Sequence, residues 1–192
     1  MKYFITITVT ISVIFFLQAC RTTRSNKSAA KSTIAELPAT PDKSNRGNNS
    51  VPKIIINTKN VIADSVVEFA KTLIGTRYKY GSAIKEQGFD CSGFITYVFN
   101  HFNIQVPRVS KDFTNAGTPV SLDESESGDL ILFTGTDTTG WIVGHMGIIT
   151  QNENGKLQFI HSASGKSIGV IISGMSKYFE TRLVKIIRVF QQ

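Results

Sequence analysis

The spacing of apolar residues changes at Gly128, and this change restricts the possible fold more than any other feature of the chain. Before Gly128, apolar residues recur at helical intervals in a segment that Gly75 ends and in a second that Asp90 can cap. After it, short runs rich in Ile, Val, Leu and Phe are separated by turns, as strands are. These runs are 130–133, 146–150, 157–163, 170–172 and 184–189. Helices followed by antiparallel strands predict an α+β domain.

Polarity and charge divide the chain into parts. Residues 21–53 are rich in Ser, Thr, Asn, Lys, Arg and Pro, a composition that cannot offset the entropy lost on ordering. Residues 61–192 hold twelve basic and twelve acidic residues, so the basicity lies in the leading segment and a nucleic-acid-binding groove is not supported. We predict a signal peptide at 1–19, a disordered basic tether at 20–56 and a folded domain at 57–192.

The first twenty residues predict export. A positive start is followed by an uncharged run, residues 4–17, that is too short for a comfortable membrane span. The run ends in Leu17-Gln18-Ala19-Cys20, which resembles the bacterial lipobox and implies that Cys20 is lipidated and anchors the protein in a membrane. An ordinary signal peptide with a chance cysteine, or an uncleaved anchor, are the alternatives. Arg21, in place of an acidic residue, favours the outer membrane, facing the periplasm.

If Cys20 is lipidated, Cys91 has no cysteine left to pair with, and a lone thiol in an exported protein is either hidden or functional. Cys91 follows the capping residue Asp90, so it should lie in the first turn of a helix. Free N–H groups and the positive end of the helix dipole then favour the thiolate, and we expect a lowered pKa. A small buried structural residue is the alternative.

Two of the three histidines lie on strands that flank an Asn154-Gly155 turn. His145 and His161 share a face of this hairpin only if opposite residues have an even number sum. A two-residue turn makes the sum odd, whereas a three-residue loop with left-handed Gly155 makes it even. A relay from Cys91 through both histidines therefore requires the even register. His101 lies nearly three turns from Cys91 and is interpreted as a surface or helix-end residue.

Several short motifs, in this order, resemble the NlpC-type cell-wall peptidases, a papain-like family, and most closely its small Spr-like lipoproteins. The motifs are Tyr78-Lys79-Tyr80-Gly81, Phe89-Asp90-Cys91-Ser92-Gly93-Phe94, Val106-Pro107-Arg108-Val109-Ser110, Gly128-Asp129-Leu130-Ile131-Leu132-Phe133, Gly144-His145-Met146-Gly147-Ile148, Phe159-Ile160-His161-Ser162-Ala163 and Gly169-Val170-Ile171-Ile172. The resemblance implies a papain-like fold with Cys91 as the nucleophile, His145 as the base and His161 as the residue that orients the base.

The resemblance also implies that Tyr78 donates to the oxyanion or positions the substrate, and that Asp90 and Ser92 line the cleft. It implies a thiol endopeptidase that cleaves D-residue or γ-linked amide bonds in peptidoglycan stem or crosslink peptides. Nothing in the sequence suggests a metal or cofactor, and a monomer is the default expectation. Three alternatives stay open: a zinc site built from the same cysteine and histidines, a non-catalytic wall-binding lipoprotein, and a papain-like amidase or acyltransferase with another substrate.

Overall fold

The computed structural model describes residues 53–165 and 169–191. The predicted signal peptide, the predicted lipidation site at Cys20 and residues 20–52 of the predicted tether lie outside this range. Ile54 forms a bridge with Ala116, and Ile56 is buried, so packing begins before the predicted domain boundary at residue 57. Within the described part of the chain, none of the helices has the length and apolarity needed to traverse a bilayer.

The two longest helices precede the five predicted strands, as expected, and shorter elements lie between and after them. The elements are α1 (Ala63–Lys71), β1 (Ala83–Ile84), β2 (Gly88–Phe89), α2 (Cys91–His101), a 3₁₀ helix (Ser110–Asn115), β3 (Thr118–Val120), β4 (Leu130–Thr134), β5 (Val143–Glu153), β6 (Lys156–Ala163), β7 (Gly169–Gly174), α3 (Lys177–Glu180) and β8 (Leu183–Arg188). The five predicted strands are present as β4 to β8. Three strands of two or three residues, β1 to β3, are too short for their apolar pattern to be read from the sequence.

Six strands form one antiparallel sheet in the order β3-β8-β4-β5-β6-β7, and β1 pairs with β2 in a separate small hairpin. The predicted α+β architecture is confirmed. Strands β4 and β5 lie at the centre of the sheet, and α2 packs against β5 and β6. The start of α2 and the beginning of β5 are therefore brought to the same region of the molecule.

Each face of the sheet carries its own apolar cluster. The larger cluster joins the sheet to α1 and α2 and includes Val66, Phe94, Phe99, Leu132 and Ile160. The smaller cluster lies on the other face and contains Ile131, Phe133, Ile149, Leu157, Phe159 and Ile186, with Phe179 of α3 packed against it. Burying each such side chain contributes roughly 1.5–3 kcal/mol, so the six-stranded sheet is held from both sides.

The β5–β6 hairpin has the even register that the histidine pair requires, and a bulge produces it. Its turn has two residues, Asn154 and Gly155, both with positive φ, and Glu153 pairs with Lys156 across it. Of the two turn lengths that the sequence left open, the two-residue turn is therefore the one present. The register shifts between Ile149 and Gln151, where Thr150 is an extra residue, and Ile148 then pairs with Ile160. The bulge, rather than the turn, supplies the even number sum that places both histidines on one face.

Candidate active site

The site is built first on the start of α2. Asp90 has extended backbone and its carboxylate accepts a hydrogen bond from the N–H of Gly93, as a helix N-cap does. Cys91 is the first helical residue and is 8% exposed. The cap residue and the spacing fix the helix start, so the sequence prediction that Cys91 lies in the first turn of a helix is confirmed.

The sulfur of Cys91 lies against the beginning of strand β5. The Cys91 thiol donates a hydrogen bond to the carbonyl oxygen of Gly144, with 3.8 Å between Sγ and the oxygen. The backbone N–H of Met146 also interacts with the sulfur. Phe133 pairs with His145 and Thr134 with Val143, so Gly144 is the extra residue of a bulge. The sulfur thus contacts the backbone on both sides of His145.

The two strand histidines are joined by a hydrogen bond. Nε2 of His145 lies 2.8 Å from Nδ1 of His161, and Nε2 of His161 lies 2.9 Å from Oγ of Ser173 on β7. The rings of Phe133, Phe159 and Phe179 pack around the pair. Ser173 was missed by sequence reasoning; the available signal was a hydroxyl in an otherwise apolar strand.

One cleft of about 520 Å³ contains these groups. Cys91, His145 and His161 line it together with Tyr78, whose backbone bridges Phe89 just before α2. The remaining walls come mainly from the end of β4, from α3 and from the residues after β6. They include Tyr80, Phe133, Thr134, Gly135, Thr136, Ala163, Ser164, Gly165, Ile171, Tyr178, Phe179 and Arg182.

Asp90 and Ser92 do not line this cleft, contrary to the expectation from the sequence. The guanidinium of Arg108 donates to both carboxylate oxygens of Asp90, at 3.1 and 2.9 Å, and to Oγ of Ser92 at 3.1 Å. Both partners are buried, so the carboxylate and hydroxyl are held by Arg108 rather than directed at a ligand. Sequence reasoning assigned no role to Arg108, because its partners lie 16 and 18 residues away in the chain.

His101 lies outside the site, as interpreted from the sequence: its ring stacks on Phe69 with centroids 3.7 Å apart. In residues 53–165 and 169–191, no group of three or more His, Cys, Asp or Glu side chains is placed to hold a metal ion.

A model of the NlpC/P60 family matches residues 75–188, more than half of the chain. The chain belongs to the NlpC/P60 family. The matched range covers α2, the six-stranded sheet and every one of the three residues Cys91, His145 and His161.

Curated relatives of this NlpC/P60 domain are named as hydrolases and peptidases. It is 36% identical over 128 residues to the gamma-DL-glutamyl hydrolase of Bacillus subtilis, covering 64% of this chain and 30% of the relative. It is 32% identical over 139 residues to the murein DD-endopeptidase MepS/murein LD-carboxypeptidase of Escherichia coli K12. That alignment covers 71% of this chain and 66% of the relative. The chain thus spans less than two thirds of the length of either relative.

Solved NlpC/P60 structures share the fold. A family protein from Bacillus cereus superposes with a TM-score of 0.60 at 25% identity, over 69% of this chain and 41% of that one. The NlpC/p60 domain of the peptidoglycan hydrolase SagA superposes with a TM-score of 0.53 at 26% identity, over 67% of this chain and 99% of that one. The predicted papain-like α+β class is confirmed by these likenesses.

The electrostatics of this NlpC/P60 site differ from the sequence expectation at Cys91. Burial raises the pKa of the Cys91 thiol, and the negative charge of Asp90 raises it further. The N–H groups of Ser92, Met146 and Cys91 itself lower the pKa, but by less. The predicted lowering of the pKa is therefore wrong, because the helix-terminus argument omitted burial and the adjacent carboxylate. The sulfur rests as a neutral thiol.

Burial also governs the two histidines of the NlpC/P60 site. It lowers the pKa of His145 to about 4, and burial together with the charge of His145 lowers the pKa of His161 to about 3. Both imidazoles are neutral at neutral pH, because the apolar surroundings penalise the imidazolium form.

Folding stability should therefore fall on mild acidification. Below the unfolded pKa of about 6.5 the unfolded chain binds protons that the folded histidines do not bind until about 4 and about 3. Between pH 7 and 5 we expect a loss of about 2 kcal/mol of unfolding free energy for each histidine. Urea titrations at both pH values measure it.

A glutamine variant isolates the contribution of a histidine from that of the carboxylates. His161→Gln should lose its share of the pH 7 to 5 difference. Equal pH dependence in wild type and His161→Gln would contradict the assignment of a lowered pKa to His161.

Proposed function

We propose that this protein is a cysteine endopeptidase that cleaves peptidoglycan stem or crosslink peptides. The observation that carries the proposal is the hydrogen-bonded pair of His145 and His161 opening on the same cleft as Cys91 at the start of α2. Relatives named as a gamma-DL-glutamyl hydrolase and a murein DD-endopeptidase support the substrate class. The catalytic roles and the reaction are proposals for this chain.

The proposed reaction begins with proton transfer from the thiol. For His145 to act as base, Nε2–H of His145 donates to Nδ1 of His161, and Nε2–H of His161 donates to Oγ of Ser173. This tautomer leaves Nδ1 of His145 with a free lone pair, which takes the proton of Cys91 as the sulfur attacks the carbonyl carbon. His161 acts as a positioning residue, since it fixes the ring and tautomer of His145.

The neutral resting state shapes this step. Because burial raises the pKa of Cys91 and lowers that of His145, a separated thiolate and imidazolium are disfavoured before substrate binds. The proton therefore moves as the C–S bond forms, when negative charge passes from sulfur to the substrate oxygen. The imidazolium then protonates the leaving amine, and neutral His145 next activates the water that hydrolyses the thioester.

Charge on the substrate oxygen needs hydrogen-bond donors. Cys91 and Tyr78 both line the cleft, so the backbone N–H of Cys91 at the start of α2 and the hydroxyl of Tyr78 are the candidate donors. Burial and the neighbouring Cys91 and Asp90 charges raise the pKa of Tyr78, so its hydroxyl stays protonated and can donate. One good donor to an oxyanion contributes about 3–4 kcal/mol.

Two bonds fit the proposal, and relatives are named for each kind. One is the amide after a γ-linked D-glutamate, and the other is the crosslink between a diamino acid and D-alanine. We take the crosslink as the first candidate, on the resemblance to the Spr-like lipoproteins. We also propose that a lipid on Cys20 holds the domain at the envelope, at the outer membrane facing the periplasm.

Digestion of purified peptidoglycan tests the function. Wild-type protein should release peptides with new termini that mass spectrometry assigns to one of these two bonds, and an equal amount of Cys91→Ala protein should release none. Absence of new termini from wild type over a range of pH and salt would refute the endopeptidase. Release of ammonia or acyl transfer without peptide cleavage would instead indicate an amidase or acyltransferase.

A further inference from the structure

Arg182, immediately before β8, lines the cleft and has no polar partner among the residues that the structure describes. Its guanidinium carbon lies 4.0 Å from the centroid of the Tyr178 ring. Its Nε is buried without a hydrogen-bond partner, and within residues 53–165 and 169–191 its side chain makes no hydrogen bond or ion pair. A buried, unpaired donor costs about 1–3 kcal/mol, so natural structures rarely keep one without a reason.

A second unpartnered group lies beside it. Thr134 ends β4, is 2% exposed and lines the same cleft, and its Oγ1 has no hydrogen-bond partner in the described part of the chain. The backbone N–H of Thr134 donates to the carbonyl of Arg182 at 2.8 Å, so the two residues are neighbours across β4 and β8. Two residues that are joined through their backbones and line the same cleft therefore carry polar side-chain atoms without a partner among the described residues.

The charge of Arg182 selects the ligand. Among the described residues that line the cleft, Arg182 alone has a fixed charge, because His145 and His161 are neutral. A guanidinium presents N–H groups in a planar fork that matches a carboxylate, and the stack on Tyr178 holds the plane of that fork. A threonine hydroxyl can donate to the same anion.

We propose that Arg182 and Thr134 form a subsite that binds a free α-carboxylate of the substrate peptide close to the scissile bond. This inference rests on the proposed peptidase function and makes Arg182 a specificity-determining residue. Two carboxylates in a stem peptide have this chemistry: the one at the chain end, and the one on the α-carbon of a γ-linked glutamate.

Amide substitution distinguishes the two sources. Three synthetic stem peptides are compared: the free acid, its C-terminal carboxamide and its γ-glutamyl α-carboxamide. Wild type should lose about 10- to 100-fold in kcat/KM on one of the amides, the range expected for a hydrogen bond to a charged group. The amide that suffers this loss identifies the carboxylate.

Arg182→Met shows whether the loss belongs to this subsite. It should lower kcat/KM on the free acid by the same factor that wild type loses on the amide. It should also cleave the free acid and that amide at similar kcat/KM, as expected for a coupled pair in a double-mutant cycle. Arg182→Lys should recover part of the discrimination. Lys177→Met, which removes an exposed charge from α3, should behave as wild type. Full discrimination by Arg182→Met, or none by wild type, would overturn the proposal.

Folding and function are controlled separately. If Arg182→Met does not fold, as judged by its thermal transition, Thr134→Val takes its place and should show a smaller loss confined to the same substrate. Calorimetric binding of the three peptides to Cys91→Ala protein tests the subsite without turnover. Cleavage by wild type together with equal binding of acid and amides would overturn the subsite alone. If wild type neither cleaves nor binds any of the peptides, both proposals fail.

Discussion

Cys91→Ala should lower the turnover of peptidoglycan peptides by at least about a thousandfold, because loss of the nucleophile in a related relay costs far more than loss of any binding contact. The covalent step needs a sulfur, and no other described residue of the cleft offers a thiol. The expected loss is in kcat, since the substrate still contacts the other cleft walls. Single-turnover kinetics with a labelled stem peptide measure it.

Stability should change little in the same variant, because alanine keeps the first turn of α2 and its Asp90 cap. His145→Ala should show a loss of the same order in kcat, while His101→Ala, which alters only the ring stacked on Phe69, should retain wild-type turnover. Appreciable turnover by either Cys91→Ala or His145→Ala would remove these residues from the proposed mechanism.

Gly93→Ala should destabilise the fold by about 3 kcal/mol or more, the upper range for overpacking. An added Cβ would lie 2.0 Å from the carbonyl oxygen of Ser82 and 2.9 Å from Oδ1 of Asp90. The Ser82 oxygen already accepts from the N–H of Asp90 at 3.0 Å, so it cannot move without loss of that bond. Helix propensity alone would make alanine more stabilising than glycine by about 1 kcal/mol. A loss of stability in the variant would therefore show that the close contact, and not helix propensity, dominates. Urea unfolding measures the difference.

The matched control is Gly174→Ala at the end of β7. Its Cβ would meet only the carbonyl oxygen of Leu157, at 3.9 Å, which is an ordinary contact. We therefore expect an effect within about 0.5 kcal/mol of zero, as for surface substitutions away from special features. A Gly93→Ala protein as stable as Gly174→Ala would mean that the Ser82 loop is free to move away from α2.

Local patterns were enough to predict the elements that carry the site. Asp90 followed by an apolar helical period placed the start of α2 correctly, because capping and burial act within a few residues. The turn at Asn154-Gly155 was found, but the sequence left its length open. A bulge at Thr150 leaves no signal in the apolar spacing, since it is set by how β5 meets its neighbours.

Long-range electrostatics could not be predicted in the same way. The pKa of Cys91 depends on burial by segments far away in the chain, so the helix terminus alone led to the wrong direction. Arg108 reaches Asp90 across 18 residues, and Ser173 meets His161 across two strands. These contacts arise only once the sheet has assembled, and a single sequence does not record them.

The one-residue bulge at Thr150 uncouples the tip of the β5–β6 hairpin from its base. Between the bulge and the turn, the numbers of paired residues add up to an odd sum. Between the bulge and the histidines, they add up to an even sum. Descendants of this chain can therefore lengthen or shorten the tip in two-residue steps without disturbing the imidazole pair. A single insertion or deletion there keeps the imidazole pair only if the bulge is gained or lost at the same time. Changes in hairpin length are therefore coupled to the presence of one unpaired residue.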